Sequence, residues 1–426
     1  MSAPVSSVSI SLLLALISIS SASYTGHMTV EFEKEWNIIS NNTLRDATLN
    51  SSFLLESPYQ HILYMNSSDG ELVRNGDEIR LIYGAASLPA PKRITATARV
   101  EVAYLPSLAS NPPLPNRSFS GSALTNYTPV MAALARSYVS ESEGQLDAMA
   151  AMTSWVHKNV DYNPSFWGRN SPSIEVYDGH EAVCVGYTHL LLAFANSLGI
   201  ENRYVSGYVF SGSPSDWQTG RSSGGGWQQH AWAELRIGDQ WVSADPTFQE
   251  FGYLDARRIA SSYSSDQSGA VDRLTAKGGP FSFDTVTRIH ISESTPFPPI
   301  SNAYAAFDGT QFSVVIINPG SSYITPTYTV SFPPYVHSGD SGIITLPAGG
   351  RKILSYYLNT DALGGSSIYQ IPYMVTMQGT ELSDTITYSR QGGFSTDGGT
   401  GASTACPVTL ILAATFLLTA ARVRRN

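Results

Sequence analysis

Apolar and polar residues alternate through much of the first hundred positions. Ile94, Ala96, Ala98, Val100 and Val102 fall on one side of a strand, and Asn75-Gly76 sits as a two-residue hairpin turn between 71–74 and 77–83. Residues 28–105 therefore predict a small antiparallel β domain. Residues 106–128 are rich in Pro, Ser and Asn without periodicity and read as a linker. The period then lengthens. Thr128 stands as an N-cap before Pro129, a second helix runs from about Glu143 to Val160, and a third from Val185 to Leu198 carries Tyr187, Leu191, Phe194 and Leu198 on one stripe before Gly199 stops it. Strands at Arg203–Phe210, Gln229–Ile237 and Gln240–Ala244 follow, so 129–286 predicts an α+β domain. From 287 to 391 only strand-like runs remain, at Phe312–Ile317, Tyr323–Ser331, Ile343–Leu346, Lys352–Leu358, Tyr373–Met377 and Thr385–Tyr388, spaced as in a β-sandwich.

The two ends change the picture. Val8–Ile19 is an apolar run followed by Ser20, Ser21, Ala22 and Ser23, so 1–23 reads as a signal peptide, although no Lys or Arg precedes it. A Gly/Ser/Thr-rich stalk (392–404), an apolar span (405–421) and a tail with Arg422, Arg424 and Arg425 (422–426) read as a transmembrane helix with its basic end in the cytoplasm. Sequons at Asn41, Asn50, Asn66, Asn116 and Asn126 fit N-linked glycans on an outward-facing surface. The charged fraction of 14% lies below the roughly 25% of average soluble domains, as in β-rich secreted proteins. A net charge of -9, with basic residues clustered only at the extreme terminus, argues against nucleic acid as a partner.

Of the two cysteines, Cys406 belongs to the membrane end, which leaves Cys184 as a lone thiol. It stands at the predicted start of the third helix, where unpaired N–H groups and the positive end of the helix dipole favour a thiolate and can receive a developing oxyanion. His230 opens the strand His230-Ala231-Trp232-Ala233-Glu234-Leu235, which turns at Gly238-Asp239 into Gln240-Trp241-Val242-Ser243-Ala244-Asp245. With Gly238-Asp239 as the loop, Leu235 faces Val242 and Ala233 faces Ala244. His230 and Asp245 are then diagonal neighbours on one face, close enough for a hydrogen bond. That is a base with its orienting carboxylate. His157, His180 and His189 show no ligand spacing, and no calcium-loop or phosphate-loop pattern occurs, so no metal and no cofactor are expected.

The order of these pieces resembles the transglutaminase-like core, related in fold to papain-type proteases. The resemblance rests on Trp155-Val156-His157-Lys158-Asn159-Val160-Asp161-Tyr162, Ala182-Val183-Cys184-Val185-Gly186-Tyr187, His230-Ala231-Trp232-Ala233-Glu234 and Trp241-Val242-Ser243-Ala244-Asp245-Pro246-Thr247, over roughly Ser140 to Gly252. It implies a thiol acyl-transfer enzyme with Cys184 as nucleophile, His230 as general base and acid, and Asp245 as orienter. Ala182 departs from the glycine usual there. The resemblance also implies an oxyanion-side residue upstream of the cysteine, for which Trp155 and Trp167 are candidates; Trp232, Trp227 and Tyr187 are candidates for the substrate cleft. The expected whole is an α+β papain/transglutaminase-like core flanked by an N-terminal antiparallel β domain and an Ig-like C-terminal β-sandwich. Its expected partners are a protein or peptide substrate and the membrane. The alternative is a non-catalytic surface module or adhesin that binds peptides or wall polymers in the same cleft.

Overall fold

The computed structural model describes residues 24–139, 144–210, 226–269, 272–307, 311–359, 363, 368–389 and 393–395. The expected signal peptide, transmembrane helix and basic tail lie outside these residues, as does the stalk apart from 393–395. Among the described residues no helix is long and apolar enough to cross a membrane.

Six strands open the chain: β1 (Thr25–Ile39), β2 (Leu44–Leu55), β3 (Gln60–Ser67), β4 (Glu71–Asn75), β5 (Glu78–Leu88) and β6 (Lys92–Val102). They divide between two facing sheets. Met28, Val30, Phe32, Trp36 and Ile38 alternate inward along β1, and Phe32 meets Phe53 of β2 edge-on at 5.4 Å. The stretch expected to be a linker is instead strapped to the core through its backbone. Phe119 N–H donates to Asn196, Ser173 N–H to Leu124 and Tyr323 N–H to Leu108, each at 2.9 Å, and Leu108 is buried. Such segments satisfy their polar groups one at a time, so no periodic pattern marks them.

The central region holds α1 (Pro129–Ser137), α2 (Gln145–Asn159), β7 (Asp161–Tyr162), α3 (Ser173–Gly179), β8 (Glu181–Ala182) and α4 (Cys184–Ser197). A five-stranded sheet follows, built from β9 (Asn202–Phe210), β10 (Trp227–Ile237), β11 (Gln240–Asp245), β12 (Glu250–Phe251) and β13 (Arg258–Ser264) in the order β12-β11-β10-β9-β13. Thr128 caps α1 by accepting from Met131 N–H at 3.3 Å, with Pro129 in the first turn. One face of the sheet, carrying Ala231, Ala233, Leu235, Val242 and Ala244, packs with Leu190, Leu191 and Phe194 of α4. Each of those three α4 side chains contributes roughly 2 kcal/mol by burial. Val205, Trp232 and Ile259 lie on the other side, in one core with the N-terminal sheets. Gly207 makes that packing possible, because a Cβ there would lie 2.1 Å from the Ile259 carbonyl and 2.8 Å from the Trp232 ring.

Two strands then return to the N-terminal sheets: β14 (Arg273–Lys277) pairs with β2, and β15 (Ser282–Pro296) pairs with β1 from Ile39↔Ser282 to Thr25↔Pro296. This long-range pairing is not visible in the local pattern. The remaining strands are β16 (Asn302–Phe307), β17 (Gln311–Ile317), β18 (Thr327–Ser331), β19 (Asp340–Ile343), β20 (Arg351–Tyr357), β21 (Ile368–Met377), β22 (Thr380–Ser389) and β23 (Gly393–Ser395). They form sheets ordered β16-β17-β20 and β19-β18-β21-β22-β23, with Phe312 against Tyr373 at 4.6 Å between them. The first stalk residues are thus a strand on β22. Buried residues of these sheets belong to the same apolar cluster as α2 and α4, and Lys158 of α2 reaches Asp340 at 3.3 Å.

Candidate active site

Cys184 is the first residue of α4, and no side chain caps that helix. The thiol is buried and is the free cysteine of the described residues. Three features seat it. Gly186 lets the first turn nest against the preceding segment, since a Cβ there would lie 2.6 Å from that of Ala182, 2.9 Å from Val176 and 3.0 Å from Ser171. The short parallel pair β7–β8 fixes the approach to the helix, with Asp161 N–H on His180 O at 2.8 Å and Asn163 N–H on Ala182 O at 2.9 Å. Tyr187, one turn further along α4, donates its hydroxyl to Val160 O and so ties the helix to the end of α2.

The hairpin supplies the partners. Its register is Ile237↔Gln240, Leu235↔Val242 and Ala233↔Ala244, with Gly238 at φ 57° in the loop, as the sequence predicts. Beyond Ala244 the ladder changes partner, and Asp245 pairs with Glu250 of β12. His230 Nε2 and Asp245 Oδ2 are 2.7 Å apart, both side chains wholly buried. Nε2 is thereby engaged, so Nδ1 is the nitrogen left for the thiol, and the Cys184 side chain hydrogen-bonds to the imidazole. Burial works against a charged imidazole, but the charge and hydrogen bond of Asp245, helped by Cys184, lift it to about 9. Burial likewise opposes ionisation of Asp245, yet His230 and Arg258 hold its carboxyl down to about 2. Its other oxygen, Oδ1, accepts Thr247 N–H at 3.1 Å. The arrangement can hold a thiolate–imidazolium pair away from water and pass the proton on.

The remaining sequence candidates are placed at different distances from the triad. Trp155 stacks on Tyr177 at 5.9 Å and meets Phe194 edge-on at 5.4 Å. Phe194 is ten residues past Cys184, ~15 Å along the helix at ~1.5 Å per residue, so this indole serves the core. Trp167 is half-buried just after the turn at Pro164–Phe166. Trp232 is buried and stacks on His230 at 6.0 Å, and Trp227 is buried against Phe210 at 5.5 Å.

Three further residues at the site were not assigned a role from the sequence. Tyr162 is brought beside Ala182 by β7, and its buried hydroxyl lies on the side of the Cys184 backbone N–H. Burial keeps that phenol protonated. Arg258, buried on β13, reaches Asp245 Oδ2 through Nε at 3.0 Å and Nη2 at 2.9 Å, and Glu250 through Nη2 at 2.7 Å. Tyr162 ends the 155–162 run on which the family resemblance rests, whereas Arg258 and Glu250 sit in no motif. Among the described residues no group of three or more His, Cys, Asp or Glu is placed to hold a metal ion.

Residues 132–246 match the family model of the transglutaminase-like superfamily. An uncharacterized protein of Mycobacterium leprae (strain TN) is 32% identical over 126 residues, which are 29% of this chain and 43% of that protein. The chain therefore spans less than half the length of this relative. Among solved structures, a Cytophaga hutchinsonii protein proposed to be a cysteine protease aligns at 18% identity and a TM-score of 0.45, over 64% of this chain and 93% of its own. Red sea bream transglutaminase aligns at 9% identity and a TM-score of 0.22, over 81% and 77%. Both scores are too low to establish a common fold.

Proposed function

We propose, from the premise that residues 132–246 carry a transglutaminase-like superfamily domain, that this protein is a thiol acyl-transfer enzyme acting on peptide or amide carbonyls. It hydrolyses peptide or amide bonds, or transfers glutaminyl acyl groups to amines. The observation that carries the reading is the wholly buried 2.7 Å contact between His230 and Asp245, with the thiol at the start of α4 hydrogen-bonded to the same imidazole.

In the proposed sequence the Cys184 sulfur attacks the carbonyl carbon, and the C=O electron pair moves to oxygen. The Cys184 N–H and the neighbouring Tyr162 hydroxyl would both point at that oxygen once it enters between them. Collapse breaks the C–N bond, and the imidazolium of His230 gives its proton to the departing amine. Water or a second amine then attacks the thioester, with His230 taking the proton, and the C–S bond breaks to release the acyl product and return the Cys184 sulfur. Asp245 holds the ring and its charge throughout. We further propose an outward-facing, membrane-anchored protein with N-linked glycans; the exposure of Asn41, Asn50, Asn66, Asn116 and Asn126 supports it.

Mass spectrometry of glutamine-containing peptides incubated with the full chain, with and without a primary amine, tests the reaction. Chain cleavage identifies a peptidase. Ammonia loss without cleavage identifies hydrolysis of the glutamine carboxamide, and amine incorporation identifies a glutaminyl transferase. Either product should fall at least about 10³-fold in Cys184→Ala and His230→Ala. If intact peptides are retained by wild type and both variants alike, the protein is a binding module.

A further inference from the structure

Behind the triad lies a buried charge that a Cys-His-Asp mechanism does not itself require. The Arg258 guanidinium, 1% exposed, is fixed at three points: Nε and Nη2 on Asp245 Oδ2, Nη2 also on Glu250 Oε2, and Nη1 on Asp255 O at 2.9 Å. Asp245 Oδ2 thus receives the imidazole from one side and the guanidinium from the other. Phe248 closes the same corner, lying 5.1 Å from the guanidinium and 5.4 Å from the His230 ring. A cation placed there does two things. It locks the carboxylate in the orientation that His230 needs, and it offsets the negative charge that makes His230 hold its proton.

Glu250 competes for that cation. Its carboxylate also accepts Asp255 N–H at 3.3 Å and is hydrogen-bonded to Tyr24. We infer that Arg258 is a positioning residue for the triad and that Glu250, held by the same guanidinium, sets how much of its positive charge reaches Asp245. The inference rests on the triad reading above and adds a control to it. When Glu250 is ionised, Arg258 serves two carboxylates; when Glu250 is protonated, Arg258 belongs to Asp245.

The neighbours leave few other groups able to act in this way. Asp255, in the turn before β13, is covered by Arg257 at 2.7 Å. Burial keeps the phenols of Tyr24, of Tyr104 after β6 and of Tyr162 on β7 protonated, and burial favours the neutral form of His157 on α2, whose Nδ1 lies 3.2 Å from Pro246 O. Burial pushes the Glu250 carboxyl up to about 7 even with Arg258 beside it. Glu250 and His230 are therefore the groups in this cluster that change charge between neutral and mildly alkaline pH.

The test follows alkylation of Cys184 by iodoacetamide from pH 5 to 10 in the full chain, read on the Cys184 peptide so that Cys406 does not interfere. Glu250→Gln removes a negative charge at nearly constant shape, so its pH–rate profile should move to acid by about half a unit or more. Arg258→Gln should move it to alkali by a similar amount, and Arg258→Lys should lie between Arg258→Gln and wild type. Damage to packing alone lowers the rate and predicts no opposed displacements. A Glu250→Gln profile that superimposes on wild type, or displacements of the same sign in Glu250→Gln and Arg258→Gln, overturns the inference. If Arg258→Gln does not fold, Glu250→Gln decides alone. A wild-type Cys184 that is no faster than free cysteine at any pH instead removes the triad reading, and this inference with it.

Discussion

The most consequential single residue after the thiol is Asp245, because one of its oxygens, Oδ2, accepts from both His230 and Arg258 while the other closes the turn onto Thr247. Its carboxyl is held below, and the His230 imidazole above, their ordinary values of about 3.9 and 6.5. A depressed acid contributes stability above its unfolded value and loses it as pH falls toward about 2; a raised base contributes fully below about 6.5 and loses it as pH rises through about 9. The contact should therefore stabilise the fold most between about pH 4 and 6.5. We expect His230→Gln to cost about 1–3 kcal/mol in that window. The gap in melting temperature from wild type should narrow steadily toward pH 9, and a gap that widens with pH would contradict the charge assignment.

At the scale of elements, the site is the meeting of one helix start with one hairpin, and small residues set the distance between them. Gly186→Ala forces a Cβ to within 2.6 Å of Ala182 and 2.9 Å of Val176, neither of which is the end of a long flexible chain. We expect a loss of about 1–3 kcal/mol from overpacking, together with slower alkylation of Cys184 as α4 is pushed from His230. Gly179 at the end of α3 is the control, since nothing lies within 4 Å of a Cβ there. Its change to Ala should stay within about 0.5 kcal/mol. Equal losses in the two variants would show that seating of the helix is not what Gly186 provides. The hairpin register was legible in the sequence because a two-residue turn fixes the pairing and a slip would turn Ala233, Leu235 and Val242 away from α4. β12, β13 and the two-residue β7 were not legible, because strands so short or so dependent on distant partners carry no periodic signal of their own.

For the molecule as a whole, the central sheet has two dependent faces. α4 covers one; the N-terminal sheets cover the other through Val205, Trp232 and Ile259, and Gln60 clamps β13 by exchanging hydrogen bonds of 2.8 Å with the Ala260 N–H and carbonyl. A fragment lacking 24–104 would expose that face and strip β14 and β15 of their partners. We expect it to be insoluble or to bind ANS, with no cooperative melt, whereas the full chain melts cooperatively. A soluble fragment with fast Cys184 alkylation would show that the sheet does not need this support. The β15 pairing also means that any removal of the C-terminal sheets must begin after Pro296.

The sequence alone determined the stop of α4 at Gly199, the turn at Gly238-Asp239 and the shared face of His230 and Asp245, since each follows from a stop signal, a two-residue loop or an alternation within about a dozen residues. Tertiary structure alone decided that Tyr162 lies beside Cys184, that Arg258 and Glu250 stand behind Asp245, and that strands near 273–296 complete the first sheets. Those contacts join segments whose separation in the chain leaves no local trace. A buried charge is spelled with the same letters as a solvated one, and only the fold removes the water from around it.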